Sequence, residues 1–200
     1  RYGATLLITV DCGITDRNEI AYAKGKGIDV IIADHHVVPE VLPDAYAILN
    51  PKDPRSGYPF QGLAGTATAF KLATAILSRV SEHESLSGAA RQSSVDFLDL
   101  VAMATLADSM PLRDENRAIV REGLKRILRT ERVGLRSLLS FCELLPPEGA
   151  VSDSDSITTR DVLFSVVPRL NAMGRMDHAS VSFRLLTTHS EEEAEVLVRH

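Results

Sequence analysis

The stretch TLLITVDCGITDRNEIAYAKGKGIDVIIADHH (residues 5–36) decides the fold. Its first part, TLLITV (5–10), is a short apolar run that stops at Asp11-Cys12-Gly13 and reads as a buried strand. DRNEIAYAKGKG (16–27) opens polar, places Ile20 and Ala23 on one face and closes on glycine, which predicts a helix with a glycine cap. IDVIIA (28–33) is a second buried strand, ending at Asp34-His35-His36. Strand, helix and strand over so short a span make a βαβ unit, whose two strands run parallel. The fold class is therefore α/β: a mostly parallel sheet with flanking helices.

Further along, AYAIL (45–49) is a third candidate strand, and NPKDPRSGYPF (50–60) has the proline and polar content of a loop. A helical pattern runs from Leu63 to Val80, with the glycines of QGLAG at its entry. A polar connection (81–94) leads to an apolar, alanine-rich helix from Val95 to Ser109, stopped by Pro111. An amphipathic helix from Asp114 to Thr130 carries acids at its start and bases along its length. A short helix over 134–144 and a linker-like stretch over 146–156 follow, and helices resume around PRLNAMGR (168–175). The C-terminal half is thus helical.

Composition narrows the function. With 44% hydrophobic and 24% charged residues, the 200-residue chain has the balance of a folded domain with a sizeable core. No apolar run is long enough to span a membrane, and no signal segment opens the sequence. Cys12 and Cys142 stand far apart, which speaks against a disulfide framework or zinc knuckle and for a reducing compartment. A net charge of −5 argues against a nonspecific nucleic-acid coat, while leaving room for a local basic groove. Of the 22 basic residues 17 are Arg, which suits forked contacts to phosphate or reflects a bias in codon usage.

The chemistry concentrates at strand ends. In open parallel sheets ligands sit beyond the carboxyl ends of the strands, and Asp11 and Asp34-His35-His36 occupy that edge. Carboxylate with imidazole suits Mn or Zn, and carboxylate alone suits Mg; taken singly, Asp11 is equally a polar turn residue. Asp108, in ATLADSMP, sits in the last turn of an apolar helix, against the helix dipole, unless a cation or a frayed end relieves it. Arg113, Arg117, Arg121, Lys125 and Arg129 recur every four residues, as a solvated helix face or a track for phosphates. In PRLNAMGR, Pro168 and Gly174 predict a break between helices, so Arg169 and Arg175 belong to a phosphate-gripping turn or a hinge. Gly62 and Gly65 offer either backbone N–H groups to a phosphate or a tight packing turn. There is no GxSxG elbow and no Walker loop, and His83, His178, His189 and His200 are assigned nothing.

Five segments in order, ITVDCGI (8–14), ADHH (33–36), LAGTATAFKL (63–72), DLVAMATLADSMPL (99–112) and PRLNAMGRM (168–176), resemble the successive motifs of the DHH phosphoesterase family. PRLNAMGR is similar to the RecJ-type branch of single-strand-specific exonucleases. The resemblance implies two divalent ions, Mn2+ or Mg2+, with Asp11 bridging them and His35 and Asp108 completing the shell of one. It implies that His36 faces the scissile phosphate or helps its leaving group, that Asp34 orients the histidine pair, and that Arg169, Asn171, Gly174 and Arg175 bind substrate. The implied activity is hydrolysis of single-stranded DNA from the 5′ end to mononucleotides, in cytoplasmic DNA repair and recombination, with a single-strand-binding protein or helicase as partners. The family also has an earlier DxDxDG strand end and a later DHHA1-type domain, neither found in these 200 residues. Residues 1–165 are accordingly expected to be a partial DHH domain and 166–200 a helical segment leading toward the second domain. An internal piece of this kind is expected to fold but to be inactive alone. The alternatives are another DHH phosphodiesterase acting on short oligonucleotides or cyclic dinucleotides, and a non-catalytic nucleic-acid-binding module.

Overall fold

The structure, a computed structural model, describes residues 3–81, 94–145, 156–176 and 178–199; the side chains of Ser81, Ser94, Val95, Arg175 and Met176 lie outside that description. The polar connection expected at 81–94 and the linker at 146–156 fall almost wholly outside the described residues. The chain forms two compact units that interleave in sequence: Arg1–Phe97 with Asp108–Ala118, and Leu98–Ala107 with Ile119–His200.

The first unit is built on a parallel sheet of order β1-β2-β3, from β1 (Leu6–Val10), β2 (Asp29–Ala33) and β3 (Ala47–Leu49). The register pairs Leu6 with Asp29 and Val10 with Ala33, so β1 and β2 end level with each other. Helix α1 (Arg17–Gly25) makes the crossover and buries Ile20 and Ala23 against Val30 and Ile32, with Ile28, Ala45 and Ile48 around them. Alternation along β2 sends Val30 and Ile32 to that face. Helix α2 (Gly65–Ser81) packs against β1 and β2, and its entry buries Leu63, Ala64 and Ala67.

The parallel α/β class stands, with two corrections. First, β1 is not buried: Leu6, Leu7, Ile8 and Val10 are between 42% and 49% exposed. Among the described residues it pairs with β2 alone, and an apolar run carries no signal of how many neighbours its strand will have. Second, PRLNAMGR is not a break. Thr158 and Asp161 form a reciprocal capping box that opens α6 (Thr159–Asp161), a π-helical turn covers Val162–Val166, and α7 (Val167–Met176) continues through Pro168 and Gly174. The Val167 N–H reaches back five residues to the Val162 carbonyl. Pro168 therefore enters where the ladder is already shifted, and its missing N–H interrupts little.

The second unit is helical. It comprises α3 (Leu98–Ala107), the C-terminal part of α4 (Asp114–Leu128), α5 (Val133–Phe141), α6, the π turn and α7, then α8 (Ala179–Thr187) and α9 (Glu191–Arg199). Val101, Ile127, Leu135, Leu138, Leu139, Val162, Val166 and Leu185 form its buried apolar set. The helix expected over 95–109 begins as a 3-10 turn (Ser94–Phe97) and ends at Ala107, so Asp108 follows the helix instead of lying in its last turn. Asp99, buried at the start of α3, accepts from the Leu100 N–H (2.7 Å) through one oxygen and from Arg132 Nε (2.9 Å) through the other. Breaking a buried pair of this kind from one side typically costs about 3–5 kcal/mol. Because Arg132 keeps partial solvent contact, Asp99→Ala is expected to lower stability by about 2 kcal/mol, read from urea unfolding; a midpoint equal to that of the unaltered chain would contradict it. Within the basic stripe, Arg121 and Lys125 are exposed and both pair with Glu122.

Candidate active site

The site lies within the first unit, at the carboxyl ends of β1 and β2. Asp11 extends β1 by one ladder bond, its N–H donating to the Ala33 carbonyl at 2.9 Å. It then takes a left-handed conformation (φ 64°). Asp tolerates that region better than most residues, yet a strained backbone at a strand end is a mark of a functional position. Thr9 Oγ1 braces the turn by donating to the Cys12 carbonyl at 2.9 Å. Gly65, the first residue of α2, comes so near that a Cβ placed on it would lie 2.2 Å from Asp11 Oδ1. Only glycine leaves room for that carboxylate.

Asp34 is almost fully buried (1% exposed) and both its oxygens are engaged. Oδ2 accepts from the Ile14 N–H (3.0 Å); Oδ1 accepts from the His35 N–H (2.7 Å) and the His36 N–H (3.2 Å), and lies 2.7 Å from His36 Nδ1. Burial pushes the Asp34 carboxyl up, but the His36 imidazole and the three N–H groups outweigh it and hold it below its ordinary value. The same contact holds His36 above its ordinary value, against partial desolvation. Both Asp34 oxygens are thus taken up by these contacts, and its neighbour His35 is the side chain that faces the acids. His35 Nε2 lies 3.1 Å from Asp11 Oδ1 and 3.4 Å from Asp108 Oδ2, while its Nδ1 is buried without a partner. Asp108 enters on the segment after α3, where Ser109 turns the chain with φ 54°.

Ligand atoms of Asp11, His35 and His36 lie within 4.8 Å of one another, the one such group of three or more metal-ligating side chains among the described residues. Asp108 joins it through His35 Nε2 but not as a member of that tight triple. The set offers carboxylate oxygens and imidazole nitrogen, which suits a divalent ion of the Mn, Zn or Mg kind. Two carboxylates facing one imidazole nitrogen fit such an ion.

The structure brings Asp11, Asp34, His35, His36 and Asp108 together. Arg169, Asn171 and Gly174 lie on α7 in the second unit, and the Arg175 side chain is outside the described residues. Arg169 donates to the Ser165 carbonyl (2.8 Å) and stacks over the Phe141 ring, 5.7 Å from its centre; Asn171 is exposed. Sequence reasoning missed Asn50. It is buried where β3 ends, its Nδ2 donates to the His36 carbonyl at 3.0 Å, and its Oδ1 accepts from the Lys52 N–H. The available signal is its place at the same sheet edge as Asp11 and Asp34.

A parallel α/β unit with an acid–histidine cluster beyond its strand ends defines a class of metal-site domain. The family model for the DHH family, N-terminal domain, matches residues 3–105, just over half of the chain, and the chain belongs to that family. It is 42% identical over 195 residues to the single-stranded-DNA-specific exonuclease RecJ of Bacillus subtilis (strain 168), covering 98% of this chain and 22% of that protein. To the protein of the same name from Haemophilus influenzae it is 38% identical over 196 residues, covering 98% of this chain and 33% of the relative. Among solved structures, RecJ in complex with Mn2+ from Thermus thermophilus superposes with a TM-score of 0.79 at 32% identity, over 98% of this chain and 26% of that one. An exonuclease RecJ bound to manganese gives 0.79 at 31% identity, over 98% and 45%. The chain therefore spans about a fifth to a third of the length of these curated relatives. Among the described residues no helix is long and apolar enough to cross a membrane.

Proposed function

We propose that this chain is the metal-site part of a divalent-ion-dependent exonuclease that hydrolyses single-stranded DNA from the 5′ end to mononucleotides. The observation that carries the reading is the convergence of Asp11 and Asp108 on His35 Nε2, at 3.1 and 3.4 Å. The similarity along the whole chain to exonucleases named RecJ, two of them solved with Mn2+ or manganese, supports the substrate and the ion. Asp11, His35 and Asp108 would hold the ion, and Asp11 would be shared if two ions bind. Such ions, when bound, clamp the attacking and leaving oxygens and make water a stronger nucleophile at neutral pH. The chain's own residues do the rest. Asp34 and Asn50 fix His36 from its ring and from its carbonyl, and His36, held above its ordinary pKa by Asp34, would face the scissile phosphate or help its leaving group. Arg169, Asn171, Gly174 and Arg175 are proposed as contacts to the DNA backbone. Work in cytoplasmic DNA repair and recombination, beside a single-strand-binding protein or a helicase, belongs to the same proposal.

The experiment offers 5′-phosphorylated single-stranded DNA and the matching duplex to the protein carrying this chain, with Mn2+ and with chelator. Mononucleotides should appear from the single strand in Mn2+ alone. Equal release in chelator, or preference for the duplex, would overturn the reading.

A further inference from the structure

We propose that Asn116 is a positioning residue that holds the Asp108 side and the Asp11 side of the ion site in one frame; the inference rests on the reading of that site just given. Asn116 lies in the first turn of α4 and is 0% exposed. Its Nδ2 donates to the Gly62 carbonyl at 2.6 Å and to the Pro111 carbonyl at 3.1 Å. Each acceptor is three residues from a critical position. Pro111 follows Asp108 across the left-handed turn at Ser109. Gly62 precedes Gly65, whose backbone is in contact with the Asp11 carboxylate. One amide with two hydrogens therefore ties the segment that delivers Asp108 to the segment that packs against the Asp11 carboxylate.

The rest of the geometry agrees. Asn116 Oδ1 is buried and has no partner. Rotating the amide to relieve it would set that oxygen against two carbonyl oxygens, so the observed orientation is the one that can exist. A buried acceptor left unmatched is unfavourable, and packing alone would be served better by an apolar side chain. What no apolar side chain supplies is the double donation. Gly62 is also wedged: a Cβ there would lie 2.7 Å from Phe60 and 3.0 Å from Pro111, so the two segments touch as well as hydrogen-bond. The neighbouring Glu115 accepts from Tyr58 Oη at 2.6 Å and pairs with Lys71 of α2, joining the same loop, α2 and α4 a second time. Ion ligands work only when held to within a fraction of an ångström by such outer contacts.

The test is Mn2+ binding by the chain, followed through the electron paramagnetic resonance signal of free Mn2+, with thermal unfolding measured in parallel. Asn116→Ala should raise the Mn2+ Kd about tenfold or more, the usual effect of removing a contact that orients ligands. Asp99→Ala, in the other compact unit, is the control: it lowers Tm but should leave the Kd within about twofold. If Asn116→Ala does not fold, Asn116→Ser, which retains a single donor, should still raise the Kd at least about threefold. A Kd within about twofold of the unaltered chain in a folded Asn116 variant overturns the positioning role alone. An equal rise in Asp99→Ala also overturns it, because the effect would then be general destabilisation. Absence of saturable Mn2+ binding by the unaltered chain overturns the site reading and this inference with it.

Discussion

Replacing Asp108 by Ala in the protein carrying this chain is expected to abolish the proposed Mn2+-dependent digestion of single-stranded DNA and to remove the rise in Tm expected of Mn2+ binding to the unaltered chain. Asp11 and Asp108 both approach His35 Nε2. That nitrogen carries at most one N–H, in either protonation state of the ring, so without an ion one carboxylate is left beside the other with its charge unmatched. A divalent cation would resolve the conflict, with both acids and the imidazole as its proposed ligands. Losing one anionic ligand lowers ion affinity and removes compensation for charge developing on the reacting oxygens, on the order of 10²–10³ or more in rate. The metal-free Tm should stay level or rise, because a repulsion has gone. Binding stabilises by RT ln(1 + [L]/Kd), about 2.7 kcal/mol at a hundredfold excess over Kd, so the comparison of Tm with and without Mn2+ is sensitive. An Asp108→Ala protein that digests at the normal rate, or keeps the full Mn2+ shift, would remove Asp108 from the site.

Part of this arrangement is legible in the sequence. The βαβ unit follows from two apolar runs and the amphipathic stretch between them, and parallel strands in register must place Asp11 beside the residues after Ala33. The site's edge is thus a consequence of local pattern. The role of Asp34 is expected only from the resemblance, and its four contacts give it a physical basis. What stays hidden depends on partners distant in sequence. Burial of β1 needs a neighbour on each side. The path through Pro168 depends on a π turn upstream that no propensity announces. Asn50 and Asn116 read as loop and helix-start residues, because a side-chain amide reveals its acceptors only after the chain has folded. The sequence pattern puts Asp108 inside a helix that ends one residue before it, since apolar periodicity fixes a helix's face better than its last residue.

Gly65→Ala is expected to weaken ion binding and to lower stability together. Sequence alone leaves Gly65 between a phosphate cradle and a packing turn; the close approach to Asp11 gives it a third role, as clearance for a ligand. An added Cβ would sit 2.2 Å from Asp11 Oδ1 and 2.6 Å from its Cβ, so something must shift. Rotation about χ1 can carry the Asp11 carboxylate away but leaves its Cβ in place, so the backbone at Asp11 or at the first turn of α2 must shift as well, against the packing of Leu63, Ala64 and Ala67 at that entry. Alanine also favours helix over glycine by up to about 1 kcal/mol in a helix interior, and less at a first turn, which offsets part of the strain. The metal-free stability should therefore fall, by about 1–3 kcal/mol, and Mn2+ affinity should fall about tenfold or more because the displaced Asp11 no longer points at His35. Urea unfolding and Mn2+ titration of the same preparation give both quantities. Unchanged Mn2+ affinity would mean that the Asp11 carboxylate is not a ligand in the conformation described.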